Sequence, residues 1–261
     1  MTSADVDALL DAVAVTHRLL VALDFDGTLS PLVDDPMAAR MLPAARDAVS
    51  ALTAAPATTV ALVSGRSIPD LRVIAEHADD SPLLLAGSHG AEVWLPGEGR
   101  RATPDDPADI ALRDELQARA EAATARMTGV WIEPKTFGLG VHTRRADAAT
   151  AEAARQIVEP MVMAAAPRWR RRRGHDILEF SFRHEGKDGA VAQLRELVGA
   201  SAVVFAGDDV TDEDALESLR PEDLGIHVGD RPTAAAVSVP DIPALAALLV
   251  RLANRRVALR E

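Results

Sequence analysis

The sequence predicts an α/β fold: a doubly wound parallel sheet with a smaller α+β unit inserted in it. Three observations predict it. Short apolar runs at Leu19 to Leu23, Thr58 to Val63 and Ala202 to Ala206 read as strands buried on both faces, as in parallel sheets covered by helices. Each run stops at acidic or small polar residues, the edge where open α/β sheets carry their chemistry. Helical segments separate the early runs, whereas residues 96 to 183 change to long helices and alternating strands.

In chain order, Met1 to His17 carries apolar residues at helical spacing and reads as a short amphipathic helix. It lacks the basic start and long apolar stretch of a signal peptide. After the first strand, Ser30 to Met41 is a Pro/Asp/Ser-rich loop, and Pro43 opens a helix to Ala54. The second strand ends in Ser64-Gly-Arg-Ser67, Ile68 to His77 suits a helix, and Leu83 to Leu85 closes on Gly87-Ser-His-Gly90. Pro96 to Pro107 is a connector; Ala108 to Met127 and Ala146 to Ala166 are helices; Val130 to Arg144 is a strand pair, and Arg168 to Phe182 is another extended segment. From Lys187 the sheet pattern returns: a helix at Asp188 to Val198, the strand at Ala202, short edge strands at Gly225 to Gly229 and Ala236 to Val239, and a closing helix at Ile242 to Asn254. The expected domains are a core of residues 1–95 and 184–261 and an insertion of 96–183.

Composition narrows the partners. With 261 residues and a 48% hydrophobic fraction, the chain fills its core without staples. Its 40 acidic and 28 basic residues give a charge of -12, which disfavours nucleic acid and anionic membrane. The arginines from Arg168 to Arg173 then read as a solvated strand edge that deters stray pairing. Arg251, Arg255, Arg256 and Arg260 read as a solvated helix end, and His17, His77, His175, His184 and His227 as structural. With no cysteine, thiol catalysis and thiolate metal sites are excluded. No apolar run approaches the roughly 20 residues of a membrane span, so the expectation is a soluble, cytoplasmic protein.

The chemistry gathers at strand ends. Asp24 and Asp26 follow the first apolar run, and Gly27 and Thr28 follow them. Two carboxylates at the end of a buried strand repel each other unless a cation compensates them, and a hard divalent ion such as Mg²⁺ meets that need. The second strand delivers Ser64 and Arg66, the later one Asp208, Asp209 and Asp212, and Lys187 stands just ahead of a helix. Together they supply what phosphoryl transfer requires: a carboxylate nucleophile, counter-cations, donors for the phosphate oxygens and an acid for the leaving oxygen.

With Asp24-Phe-Asp-Gly-Thr28, Ser64, Lys187 and Gly207-Asp-Asp-Val-Thr-Asp212 in this order, the chain resembles the phosphatases of the haloacid dehalogenase (HAD) superfamily. Ser64-Gly-Arg-Ser67, Gly87-Ser-His-Gly90 and Gly207-Asp-Asp-Val-Thr-Asp-Glu-Asp214 are similar to strings of the trehalose-6-phosphate phosphatases within it. The resemblance implies a HAD core and, at 96–183, a C2-type cap that selects the leaving group. It implies that Asp24 attacks phosphorus and that Asp26 serves as acid and then base. Mg²⁺ would be bound by Asp24, Asp208 and the Asp26 carbonyl, with Asp209 and Asp212 in support. Ser64 and Lys187 would donate to the phosphate, in a loop shaped by Gly27 and Thr28; Gly65 and Arg66 are further phosphate-binding candidates.

On the cap, the resemblance assigns Glu133, Lys135, His142, Arg144 and Glu179 to the sugar hydroxyls, and His89 is a candidate substrate contact. Glu133 and Lys135 are two residues apart, as are His142 and Arg144, so each pair would share a strand face. Where relatives often read Glu-Ile-Arg-Pro, this chain has Glu179-Phe-Ser-Phe182, with an arginine only at Arg183. The implied reaction is hydrolysis of trehalose 6-phosphate, with any coupled synthase on a separate chain. The alternatives are another sugar phosphate of the sucrose or glucosyl-glycerate type, a phosphoryl-transferring mutase, and a catalytically silent sugar-phosphate sensor.

Overall fold

The computed structural model describes residues 2–102, 105–174 and 176–259; the expectations for His175 and Arg260 lie outside them. Two compact units emerge, Met1–Ala102 with Glu185–Glu261, and Thr103–His184.

Strand β1 (Leu19–Leu23) is buried at every position because both of its faces are covered. Leu19, Val21 and Leu23 pack in one cluster with α1 (Ser3–Ala14), α2 (Pro43–Ala54), α3 (Ile68–Ile74) and α8 (Ile242–Ala258). Leu20 and Ala22 pack on the other side with α6 (Lys187–Val198) and α7 (Val210–Glu217). Alternate residues of one strand thus feed two separate cores, which explains a continuous apolar run rather than an alternating one.

The larger unit adds β2 (Thr58–Val63), β3 (Leu84–Gly87), β4 (Glu92–Leu95), β5 (Gly99–Ala102), β10 (Ala202–Gly207), β11 (Leu224–Val228) and β12 (Val237–Val239). Its eight strands run in the order β12-β11-β10-β1-β2-β3-β4-β5. Pairing is parallel from β12 to β3 and antiparallel for the β4–β5 edge. The chain leaves β1 toward β2 on one side and returns as β10 on the other, so the topological switch point lies between β1 and β10. Open α/β sheets bind their ligands at such a point, outside the carboxyl ends of the strands.

Three expectations need correction here. Residues 96–107 are more than a connector, because Gly99–Ala102 forms a strand that pairs with β4 across a turn at Pro96–Glu98. The turn residues dominate the composition of that stretch and obscure the four-residue strand. Residues 225–229 are no edge: β11 lies between β10 and β12 and is buried throughout. The basic end of α8 is not simply solvated. Arg251 and Arg255 pair with Asp7 of α1. Arg256, 5% exposed, donates to the carbonyls of Ala14, Thr16, Pro56 and Ala57 and so ties α8 to the ends of its neighbours.

The smaller unit contains α4 (Pro107–Thr124), β6 (Trp131–Lys135), β7 (Gly138–His142), α5 (Ala148–Ala165), β8 (Arg170–Gly174) and β9 (Ile177–Ser181). The four strands form an antiparallel sheet in the order β6-β7-β9-β8. Leu139, Val141, Leu178 and Phe180 pack on one side against Leu116 and Ala120 of α4 and Ala154, Val158 and Val162 of α5. The expected single extended segment at 168–182 is therefore a hairpin, turning near Asp176 with its positive φ of 56°. The arginines of β8 do lie on the sheet edge, but Arg171 and Arg173 both pair with Glu159.

Candidate active site

Asp24 is the first residue past β1, and its N–H donates to the Ala206 carbonyl of β10 at 2.9 Å. That bond extends the parallel pairing by one residue and fixes Asp24 at the switch point. Its side chain is 6% exposed. Lys187 Nζ donates to Asp24 Oδ1 at 2.6 Å and to Asp212 Oδ1 at 2.6 Å, so one buried ammonium spans two buried carboxylates. Lys187 is the first residue of α6, where the helix start brings its Nζ to both acids. Asp212 Oδ2 accepts the backbone N–H groups of Asp208 at 3.2 Å and Asp209 at 3.0 Å, at the start of α7.

Thr28 Oγ1 lies 3.1 Å from Asp24 Oδ2 and 3.2 Å from Asp208 Oδ1. A hydroxyl has one proton to donate, so it serves one of the two carboxylates at a time. Gly27 makes this closeness possible. A Cβ there would lie 2.0 Å from Asp208 Oδ2, and the backbone has φ +86°, which a side chain disfavours.

Burial and neighbouring carboxylates together raise the proton affinity of Asp24 and Asp208. Burial pushes Asp24 well above the usual carboxylate range; the charges of Asp212 and Asp208 add to that, and Lys187 opposes it. Burial, then the Asp212 charge, push Asp208 up to about 6. Burial disfavours the Lys187 ammonium, but Asp212 and Asp24 more than reverse this and hold it charged. Asp24, Asp208 and Asp212 each offer one oxygen, all within 4.8 Å of one another. Asp212 has both oxygens engaged, by Lys187 and by two N–H groups, whereas Asp24 Oδ2 and the Asp208 carboxylate meet only the Thr28 hydroxyl among the described residues, so these two are the candidate side-chain donors for a cation. An oxygen-only donor set with surplus negative charge fits a hard divalent cation such as Mg²⁺.

The Asp26 carboxylate is not in that group. Arg66 Nε meets Asp26 Oδ2 at 2.6 Å and Arg66 Nη2 meets Oδ1 at 2.7 Å, a two-pronged pair. The end of β2 and the loop after β3 are laced together around it. Ser64 N–H donates to Ala86 O, His89 N–H to Ser64 O and Ser88 N–H to Arg66 O. Ser64 is 2% exposed, and its Oγ accepts the Arg66 N–H at 3.1 Å. His89 has φ +59° and sets its ring against Gly65, where a Cβ would lie 2.7 Å from Nε2. His89 thus belongs with Ser64 and Gly65 in the larger unit.

In the smaller unit, Glu133, Lys135, His142 and Glu179 converge. Lys135 Nζ lies 2.9 Å from Glu133 Oε2 and 3.3 Å from Glu179 Oε1. His142 Nε2 lies 2.6 Å from Glu133 Oε2. Burial alone would raise the Glu133 pKa, but the His142 hydrogen bond and the Lys135 charge hold it at about 2. For Lys135, burial is outweighed by Glu179 and Glu133, so its ammonium is stabilised. Arg144 is placed differently from the expectation: it falls past the end of β7, in the turn leading to α5, so strand alternation does not govern it. Arg183 pairs with Asp105 at 2.7 Å.

Three residues escaped the sequence reading. Trp131 stacks on His142, rings 4.4 Å apart and within 1° of parallel; it alternates with Glu133 and Lys135 along β6, a period that marks it. Glu92, 1% exposed, accepts from Ile68 N–H and Ser88 Oγ and pairs with Arg100. A lone acid opening an apolar strand was its signal. Arg231, paired with Asp209 at 3.0 Å, had none.

Comparison with known proteins agrees with this layout. The model of the family described as trehalose-phosphatase matches residues 22–243. The trehalose-phosphate phosphatase of Mycobacterium avium is 34% identical over 256 residues, covering 91% of this chain and 62% of that protein. The Mycobacterium tuberculosis protein of the same name is 30% identical over 259 residues, covering 92% and 63%. The chain thus spans about 62% of the length of the curated relatives it matches. Among solved structures, the C-terminal domain of Candida albicans trehalose-6-phosphate phosphatase superposes with a TM-score of 0.82 at 20% identity, covering 96% of this chain and 97% of that one, a likeness of fold. An Aspergillus fumigatus trehalose-6-phosphate phosphatase gives 0.68 at 25% identity, covering 96% and 97%. The fold is the HAD-type α/β core with an inserted α+β cap domain. Among the described residues, no helix is long and apolar enough to cross a membrane.

Proposed function

This chain belongs to the trehalose-phosphatase family, and on that premise we propose that it hydrolyses trehalose 6-phosphate to trehalose and inorganic phosphate through an aspartyl-phosphate. The observation that carries the reading is the buried Asp24 carboxylate at the β1/β10 switch point, held by Lys187 and Thr28. In the first step an Asp24 oxygen bonds to phosphorus while the bond from phosphorus to the sugar oxygen breaks, and Asp26 gives that oxygen its proton. In the second, Asp26 takes a proton from water as the water oxygen bonds to phosphorus, and the bond from phosphorus to Asp24 breaks. Both carboxyl groups return to their starting state.

Lys187 and Ser64 donate to the phosphate oxygens as charge spreads over them, with Gly65 and Thr28 shaping the loop around them. Asp24, Asp208 and the Asp26 carbonyl are the proposed Mg²⁺ ligands, with Asp212 and Asp209 in support. When bound, the ion supplies positive charge that lets an anionic nucleophile meet an anionic phosphate. On the cap domain, Glu133, Lys135, His142 and Glu179 are the proposed sugar-recognising set, with His89 of the core and Arg144 as further candidates.

The test is phosphate release across a panel of sugar phosphates, with and without EDTA. Preferential turnover of trehalose 6-phosphate, abolished by EDTA and restored by Mg²⁺, is the expected result. Comparable turnover of several unrelated sugar phosphates would overturn the substrate assignment, and undiminished turnover in EDTA would overturn the metal assignment.

A further inference from the structure

The contact between Arg66 and Asp26 is as well built as any in the core. Both guanidinium nitrogens face both carboxylate oxygens at 2.6 and 2.7 Å, the fork geometry in which arginine binds a carboxylate most specifically. The two side chains are 16% and 27% exposed, so the pair is sheltered from solvent. The Arg66 backbone is fixed as well. Its N–H donates to Ser64 Oγ at 3.1 Å, and its carbonyl accepts the Ser88 N–H at 2.7 Å. Two residues on, the first N–H of α3 is held by the buried Glu92, which also binds the Ser88 hydroxyl. A guanidinium anchored this way sets the direction of whatever it holds.

We infer that Arg66 is a positioning residue for Asp26: the two-pronged pair holds the ionised base form, in the acid form one Asp26 oxygen keeps a guanidinium N–H while the other carries the proton toward the leaving sugar oxygen, and Arg66 is not a ligand of the phosphate. The inference rests on the reading of Asp26 as the acid and base of the reaction. Its chemical consequence is a dependence on the leaving group. A sugar alkoxide leaves only with a proton delivered to it, whereas a nitrophenolate leaves well without one. Misplacing Asp26 therefore slows the first step for a sugar phosphate and spares it for an aryl phosphate. A lost phosphate ligand slows both.

The experiment compares Arg66→Met, Asp26→Asn and the double variant on trehalose 6-phosphate and on para-nitrophenyl phosphate, reading the burst of nitrophenolate for the first step. Arg66→Met is expected to lower kcat on trehalose 6-phosphate by about 10²-fold, the scale of positioned proton transfer, and to lower the nitrophenolate burst rate far less. The double variant should be no slower than Asp26→Asn alone, since residues acting as one unit are not additive. Arg66→Lys, with a point charge in place of the fork, should fall between. Equal losses on both substrates, weakened inhibition by inorganic phosphate, or multiplying effects in the double variant would overturn the inference and make Arg66 a phosphate ligand. If Asp26→Asn itself showed no leaving-group dependence, the failure would lie in the acid-and-base reading instead. Thermal unfolding checks each variant, and Arg66→Lys and Arg66→Gln carry the same comparison should Arg66→Met not fold.

Discussion

Two clusters of charged side chains, one in each unit, solve opposite problems. In the core, Asp24, Asp208 and Asp212 face a single ammonium, Lys187, and the proton affinities of Asp24 and Asp208 rise. In the cap domain, Glu133 and Glu179 face Lys135 and His142, and the Glu133 pKa falls to about 2. Buried carboxylates end up with opposite shifts because in the core burial, reinforced by neighbouring carboxylates, outweighs the one shared ammonium, whereas at Glu133 the His142 hydrogen bond and the Lys135 charge outweigh burial. Under the proposed function the core cluster serves the cation and the reaction, and the cap cluster the recognition of neutral sugar hydroxyls. Substitutions should therefore act on chemistry in one place and on binding in the other.

The largest expected effect is at the nucleophile. Asp24→Asn should lower kcat on trehalose 6-phosphate by at least about 10³-fold, because an amide cannot form the acyl phosphate. Circular dichroism should show the fold retained, since Asn removes a charge whose burial is unfavourable and Lys187 keeps Asp212. Activity near wild type would dissolve the contrast between the clusters. The next effect concerns the cation. Excess Mg²⁺ should stabilise the chain against heat, by about 2.7 kcal/mol at one hundred times its dissociation constant. Asp208→Asn should remove most of that gain; an unchanged gain would place the ion elsewhere.

Lys187 comes third. Lys187→Met leaves Asp24 and Asp212 buried without their shared partner, a change that costs about 3–5 kcal/mol in buried pairs. Urea unfolding measures it. The loss should shrink as pH falls, because the stranded carboxylates can then take up protons; a loss that stays constant down to pH 4 would mean that Lys187 does not compensate them.

Much of the core was legible because its signals are local. Leu19 to Leu23 ending at Asp24 marks a strand, its burial and its polar end at once, and Ser64 after β2 and Asp208 after β10 repeat the device, while Lys187 stands at the start of α6. What was not legible depends on contacts made far along the chain. That Arg66 meets Asp26, 40 residues away, leaves no trace in spacing, nor does the capture of four carbonyls by Arg256 from α8. Short strands next to turns were also hidden: Gly99–Ala102 and the β8–β9 hairpin are set by pairing rather than by propensity. On the cap, period two carried Glu133 and Lys135 correctly but failed for Arg144, because the strand had already ended at His142.

The smallest expected effect sharpens the comparison from the cap side. Glu133→Gln removes a carboxylate whose folded pKa of about 2 lies below its ordinary 4.5. A group depressed in this way stabilises the fold above its unfolded value and loses that contribution as pH falls through the folded one. The stability difference between wild type and Glu133→Gln should therefore be constant from pH 8 to about pH 5 and disappear toward pH 2. Its size should be about 1 kcal/mol, since 32% of the Glu133 side chain is exposed and solvent screens the pair. On trehalose 6-phosphate the same variant should raise KM about tenfold and change kcat little, the signature of lost uniform binding. A fall in kcat with unchanged KM would instead put Glu133 in the chemistry and erase the division of labour between the two clusters.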